Sequence, residues 1–162
     1  MFENPFLEFV ARFYSWVIRI GSGLQSLFLL LLRIMWGQQF FMIGLAKILR
    51  HKEVALYFTS IGLPHPEFHT YFIGILEIIG GACLVLGFAS RLASIPLIFI
   101  MFGALIAHHV LDGYRFIENP FLLAHSGPFP FLLTSLIVFI FGPGRISIDG
   151  WIKRNSRYWR QL

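Results

Sequence analysis

Apolar positions run in four blocks along this chain, at Leu24 to Leu49, His69 to Ala89, Leu92 to Leu111 and Pro128 to Phe141. Each approaches the ~20 residues that an α-helix needs to cross the hydrocarbon core of a bilayer. The pattern predicts four membrane-spanning helices. A different pattern precedes the first block. Phe6, Phe9, Val10, Phe13, Val17 and Ile20 share one helical face, while Glu8, Arg12, Ser15 and Arg19 share the other. That distribution suits a helix lying at the headgroup boundary. Gly21-Ser22-Gly23 is expected to turn the chain from this surface helix into the bilayer. The first 20 residues carry neither a basic n-region nor a small-residue cleavage site, so the first span is expected to act as an uncleaved anchor.

The other end repeats the device. Gly142-Pro143-Gly144 stops the fourth span, and Asp149 is the expected N-cap of a helix on which Trp151, Ile152, Tyr158 and Trp159 oppose Lys153, Arg154, Arg157 and Arg160. The alternative is a frayed basic tail, because a short helix is marginal until a surface orders it. The chain therefore divides into an amphipathic interfacial helix over 1–20, a four-helix membrane domain over 24–145 and a basic amphipathic tail over 146–162. The expected fold class is an all-α membrane protein, a four transmembrane helix bundle with amphipathic interfacial helices at both termini.

Composition agrees. Of the 162 residues 57% are hydrophobic and 13% charged, with a mean hydropathy of +0.73. A soluble domain carries roughly 25% charged residues, so too few charges are present to cover a soluble surface. The net charge of +5 and pI of 9.8 come from basic residues scattered along helix flanks. They form no run interleaved with polar turns, which favours anionic lipid head groups over nucleic acid as the partner. Four spans place both termini on one side. That side holds Arg12, Arg19, Arg91, Arg145, Lys153, Arg154, Arg157 and Arg160, against Lys47, Arg50, Lys52 and Arg115 on the other. Both termini are thereby expected in the cytoplasm. All six histidines, at 51, 65, 69, 108, 109 and 125, then fall in or near the outer half.

Glu77 interrupts the apolar run from Ile73 to Ala89 among Gly74, Gly80, Gly81 and Gly87. A carboxylate inside a span marks the interior of a bundle, where a cation or a hydrogen-bond network compensates its desolvation. Arg33 comes out about 13 Å from the cytoplasmic boundary and Glu77 about 18 Å from it, at about 1.5 Å per residue. The two are expected to meet as an ion pair. Arg33 snorkelling to the interface beside a neutral Glu77 is the alternative. Helical spacing puts Gly37, Phe40, Gly44 and Lys47 on Arg33's face and Gly74, Gly81 and Leu84 on Glu77's face, so small residues allow close approach.

The third span ends in His108-His109. Adjacent histidines diverge by about 100° on a helix, so both ligating one metal is awkward, and the remaining histidines match no zinc or copper spacing. No metal site is assigned. Cys83 is the single cysteine, which excludes a chain-internal dithiol relay. No Walker loop, nucleophile elbow, dinucleotide fingerprint or HExxH helix is present, so the chain holds no self-contained catalytic motif. The candidate polar-interior or ligand-binding residues are Arg33, Lys47, Glu77, His108 and His109.

An ordered set of motifs carries a family likeness. Arg33-Ile34 with Gly37, Phe40-Phe41 and Gly44-Leu45-Ala46-Lys47 comes first, then Ile61-Gly62-Leu63-Pro64, Glu77 before Gly80-Gly81, and Leu86-Gly87-Phe88-Ala89-Ser90-Arg91. His108-His109 and Gly142-Pro143-Gly144-Arg145-Ile146-Ser147-Ile148-Asp149 complete it. The combination, over roughly Leu30 to Gly150, resembles the DoxX family. The resemblance implies a four-helix protein of the bacterial cytoplasmic membrane, whose relatives include subunits of quinone-reactive oxidase systems and of oxidative-stress membrane complexes.

Two function classes follow. One is a redox-linked accessory subunit, at most a component of a quinone-linked oxidoreductase, holding a quinone or similar amphiphile among Arg33, Glu77 and His108 or His109, with Trp36, Phe40, Phe41 and Phe72 as walls. Another membrane or periplasmic redox subunit would be its partner. The other is a non-catalytic scaffold or carrier that docks a partner protein through the outer loop between Arg50 and Phe68. Topology is checked by cysteines placed at Ser156 and at Thr59 in a Cys83→Ser background. Impermeant thiol reagents should label them from opposite sides, with Ser156 cytoplasmic, whereas labelling from one face would remove the four-span arrangement.

Overall fold

A computed structural model describes residues 5–111 and 121–155, without the side chains of 5–7, 108–111 and 123. Its elements are α1 (Pro5–Leu49), α2 (His51–Ser60), α3 (Pro66–Leu86), α4 (Ser90–Leu111), α5 (Phe121–His125), α6 (Pro128–Phe141) and α7 (Ile148–Asn155). α1 packs on α3, α3 on α4, α4 on α6, and α6 returns to α1, while α2 lies on α3. The result is a four-helix bundle. α1, α3 and α4 are long and apolar enough to cross a membrane, and α6 is a shorter apolar helix. At 14 residues α6 rises only about 21 Å.

Burial is distributed as a lipid solvent requires. Thr70, Ser94 and Ser135 are fully buried, and each hydroxyl donates to the carbonyl four residues earlier, at 2.9, 2.7 and 2.9 Å. Leu92 and Phe99, by contrast, are 70% and 72% exposed. Hydroxyls satisfied within their own helix, with apolar groups outside, suit a hydrocarbon surrounding. Among the described residues, Phe40, Leu84, Leu97, Met101 and Val138 form a small buried apolar cluster, with Ile100, Phe131 and Leu132 packed against it.

The antiparallel α1–α3 contact is the tightest in the bundle. A Cβ on Gly44 would stand 2.6 Å from the carbonyl oxygen of Gly74, and one on Gly81 would stand 2.6 Å from both Gly37 O and Phe41 N. Backbone meets backbone at two levels, as the sequence spacing anticipates. These contacts fix the register: Gly44 faces Gly74, Gly37 faces Gly81, and Arg33 falls opposite Gly87.

Four expectations change. The chain does not turn at Gly21-Ser22-Gly23: α1 is one continuous helix of 45 residues, about 68 Å long. Helix hydrogen bonding propagates through these small residues because no proline or cap intervenes. Residues 8–25 are exposed throughout, so the amphipathic segment extends beyond the level at which α3, α4 and α6 end. Second, the segment between Arg50 and Phe68, expected as an outer loop, contains the helix α2, whose Ala55 and Phe58 are buried. Third, Asp149 does not cap its own helix. Ser147 does so, its Oγ accepting from Gly150 N at 2.9 Å. Fourth, Arg33 and Glu77 do not pair, as described below. The side chains of His108 and His109, and the tail residues Arg157, Tyr158, Trp159 and Arg160, lie outside the described residues.

Substitution should expose the α1–α3 contact directly. Gly81→Ala forces a methyl against backbone that cannot yield, so a loss of about 1–3 kcal/mol is expected. Gly103→Ala on α4 meets nothing within 4 Å, and its higher helix propensity should leave stability equal or greater. Thermal unfolding in one detergent compares the two, and equal melting temperatures would mean that α1 and α3 are not in backbone contact.

Candidate functional site

Two polar sites occupy opposite ends of the bundle. At the loop end, Lys47 in the last turn of α1 reaches Glu77 on α3, its Nζ donating to Oε1 at 2.6 Å and to Oε2 at 2.5 Å. Glu77 is fully buried and the Lys47 side chain one-fifth exposed. Gly44 and Gly74 bring the helices close enough for this span, and the negative end of the α1 dipole favours the ammonium where it sits. Both carboxylate oxygens accept from the one ammonium, so each charge is compensated by the other. Its chemistry is that of a register lock, since a one-turn slip would leave two charges unpaired in lipid.

Arg33 occupies the terminal end. Lys47 is fourteen residues further along α1, about 21 Å away. Depths counted from Leu24 bring Arg33 and Glu77 together, but the bundle's terminal boundary lies at Arg33 itself, where α3 ends and α4 begins. Arg33 is fully buried, with Nε donating to Leu29 O at 3.3 Å and Nη2 to Ile146 O at 2.5 Å. Gly87, at φ +68°, leaves space for the guanidinium, because a Cβ there would collide with Arg33 Nη1.

This end is a knot of three chain segments. Asp149 accepts from Ala89 N at 2.8 Å and Ser90 N at 3.0 Å, and its own amide donates to Gly87 O at 2.9 Å. Its carboxylate thus caps α4 across 59 and 60 positions of sequence. The strained turn depends on it: Ala89 has φ +45°, a left-handed conformation that costs a non-glycine residue on the order of 1 kcal/mol. Above the knot lies a cleft of about 830 Å³ between α1, the α3–α4 turn, the end of α6 and α7. Its polar lining includes Gln25, Ser26, Arg91 and Arg145, and its apolar lining Leu29, Phe88, Leu92 and Phe141.

The sequence-derived candidates therefore separate. Lys47 and Glu77 come together, and Arg33 stands apart from both. Of the proposed aromatic walls, Phe40 is fully buried in the core, T-stacked on Phe131 at 4.9 Å, and Trp36 meets the same ring at 4.8 Å. Phe72 is half exposed and stacks on Phe68. His51 stacks on Tyr71, and His69 Nδ1 lies 3.1 Å from His65 O. The cleft itself is absent from the sequence reading. Its only signal was that Gly87-Phe88-Ala89-Ser90-Arg91 and Gly142 to Asp149 are both glycine-marked and both fall at the same membrane boundary.

Comparison with known proteins gives one consistent result. The family model described as DoxX matches residues 28–110, more than half of the chain. The chain is 29% identical over 128 residues to "Putative oxidoreductase CatD" of Bacillus subtilis, covering 79% of this chain and 89% of that protein. It is 28% identical over 126 residues to "Inner membrane protein YphA" of Escherichia coli, covering 77% and 90%. An uncharacterized membrane protein of Mycobacterium tuberculosis is 28% identical over 105 residues, covering 61% and 64%. No solved structure matches.

The pairing is tested by two double-mutant cycles on unfolding. Lys47→Met strands a fully buried carboxylate and should cost up to about 3–5 kcal/mol, less whatever protonation recovers. Glu77→Gln should cost less, because Lys47 is close enough to the helix end to reach the interface. The double variant should regain part of the loss. Arg33→Leu combined with Glu77→Gln should be additive within about 0.5 kcal/mol, and coupling there in place of the Lys47 cycle would restore the Arg33–Glu77 pair.

Proposed function

This chain belongs to the DoxX family, and from that premise we propose that it is a redox-linked accessory subunit of the bacterial cytoplasmic membrane, with both termini cytoplasmic, that holds a quinone or similar amphiphile in the terminal-end cleft. Support for the redox link comes from the name of the Bacillus relative, an oxidoreductase by that name. Support for the cleft is geometric.

A quinone needs donors for its carbonyl oxygens and an apolar channel for its tail. Among the described residues the bundle interior offers less room: Glu77 already accepts twice from Lys47, Phe40 is packed in the core, and α1 meets α3 backbone to backbone. The cleft offers both. Gln25, Ser26 and Arg91 supply donors, and Phe88, Leu92 and Phe141 form a wall that is itself half or more exposed towards lipid. This is the observation that carries the reading. When bound, a quinone would supply two-electron, two-proton chemistry. The chain's own residues orient the head group, while the tail remains in the bilayer. Electrons would come from a partner subunit, consistent with the lack of a self-contained catalytic motif.

Tryptophan quenching by a short-chain quinone tests the location. Ser26→Phe fills the cleft and should abolish saturable binding, while Glu77→Gln should leave the affinity unchanged. Sensitivity to Glu77→Gln with indifference to Ser26→Phe would return the amphiphile to the bundle interior.

A further inference from the structure

The cleft carries more positive charge than a neutral head group needs. Arg91, Arg145 and Lys153 line it, and none has a carboxylate partner among the described residues. The ion pairs there are Arg12–Glu8 and Lys47–Glu77. Asp149, the carboxylate lining the cleft, is committed to the Ala89 and Ser90 amides. Below the floor lies Arg33, whose charge is offset electrostatically by Asp149 and whose Nη1 is buried without a hydrogen-bond partner. Its link to the floor is direct, through Leu29 O.

Of these cations, Arg91 is also held in place. Arg91 lies across Gly142, where a Cβ would stand 3.2 to 3.6 Å from its guanidinium atoms, and its Nη2 donates to Ile140 O at 3.3 Å. Arg154 Nη1 donates to Arg145 O at 2.9 Å, bracing the segment that carries Arg145. A second depression of about 590 Å³, lined by Arg145, Lys153 and Arg154, shares four lining residues with the cleft and continues it as one basic groove.

α3 ends at Leu86, α4 starts at Ser90 and α6 ends at Phe141, so the cleft sits where spans emerge and lipid phosphates lie. The positive-inside count assigns this boundary to the cytoplasmic leaflet. We propose that the cleft is a binding site for one anionic phospholipid, whose phosphate is held by Arg91, Arg145 and Lys153 and whose acyl chains run along Phe88, Leu92 and Phe141. The inference rests on the reading of the cleft as an amphiphile site, and makes an anionic phospholipid a second ligand that competes with the quinone for the same walls.

Dioctanoyl phosphatidylglycerol and dioctanoyl phosphatidylcholine, added to the protein in neutral detergent, are compared by native mass spectrometry. Glycerol phosphate and a short-chain quinone serve as further probes. One phosphatidylglycerol should bind saturably, at least about tenfold more tightly than phosphatidylcholine, given the attraction of three cations at a membrane surface. The preference should vanish in the Arg91→Gln/Arg145→Gln/Lys153→Gln variant, with circular dichroism and monodispersity unchanged; should that triple variant misfold, each single substitution is expected to reduce the preference. Ser26→Phe should abolish binding of both lipids. Equal binding of the two lipids, each lost in Ser26→Phe, would overturn the anionic assignment and keep the amphiphile cleft. Glycerol phosphate binding as tightly as the lipid would overturn the lipid assignment in favour of a soluble phosphate. No saturable binding of either lipid or of the quinone would overturn the cleft reading as well.

Discussion

The close approach of α1 and α3 is the constraint on which the rest of the structure depends. In lipid there is no hydrophobic drive for helices to associate, so contact has to come from close packing and from polar groups that the bilayer cannot solvate. Four glycines provide the first, and the Lys47–Glu77 pair provides the second. Neither suffices alone. Glycine contacts would permit neighbouring registers, and an ion pair between widely spaced helices would leave its remaining hydrogen-bonding capacity unmet.

That register determines the other end. Once Gly44 faces Gly74 and Gly37 faces Gly81, Arg33 must lie at Gly87, beside the turn into α4. There the guanidinium cannot reach a carboxylate in the bundle and takes the Ile146 carbonyl, which draws the segment after α6 across the bundle's end. Asp149 then completes the α4 cap and relieves the strained Ala89 turn. The cleft is a consequence of this fold-back, with α1 as one wall and α7 as the other. Its position is at the span ends, where Phe88, Leu92 and Phe141 are exposed.

Much of this was legible in the sequence because a bilayer imposes simple patterns. Apolar blocks of near-spanning length gave the helices, and glycine spacing gave the contact faces of α1 and α3. Lys47 was identified as an interior candidate for the same reason. What failed was reckoning of depth. Counting from Leu24 assumes that α1 enters the membrane at the first apolar residue, yet α1 runs straight through Gly21-Ser22-Gly23 and the bundle begins near Arg33. That misplaced origin transferred the partner of Glu77 from Lys47 to Arg33, fourteen residues or about four helical turns away. Asp149 shows a second limit: next to Ser147 and before a helical run, its type and place suit a local cap, and no local pattern reveals that its acceptor atoms serve amides sixty residues away. Long-range pairing of two glycine-marked motifs is a property of the assembled bundle.

The central claim is that the polar interior is structural and that the terminal-end cleft is where a ligand resides. An experimental map of the protein in a lipid nanodisc tests it most directly. Elongated amphiphile density is expected in the cleft, its head group beside Arg91 and Arg145, with α1 and α3 in unbroken contact from Gly37 to Gly44. Head-group density inside the bundle between Glu77 and the histidine end of α4, with Lys47 turned away from Glu77 and the cleft empty, would contradict it.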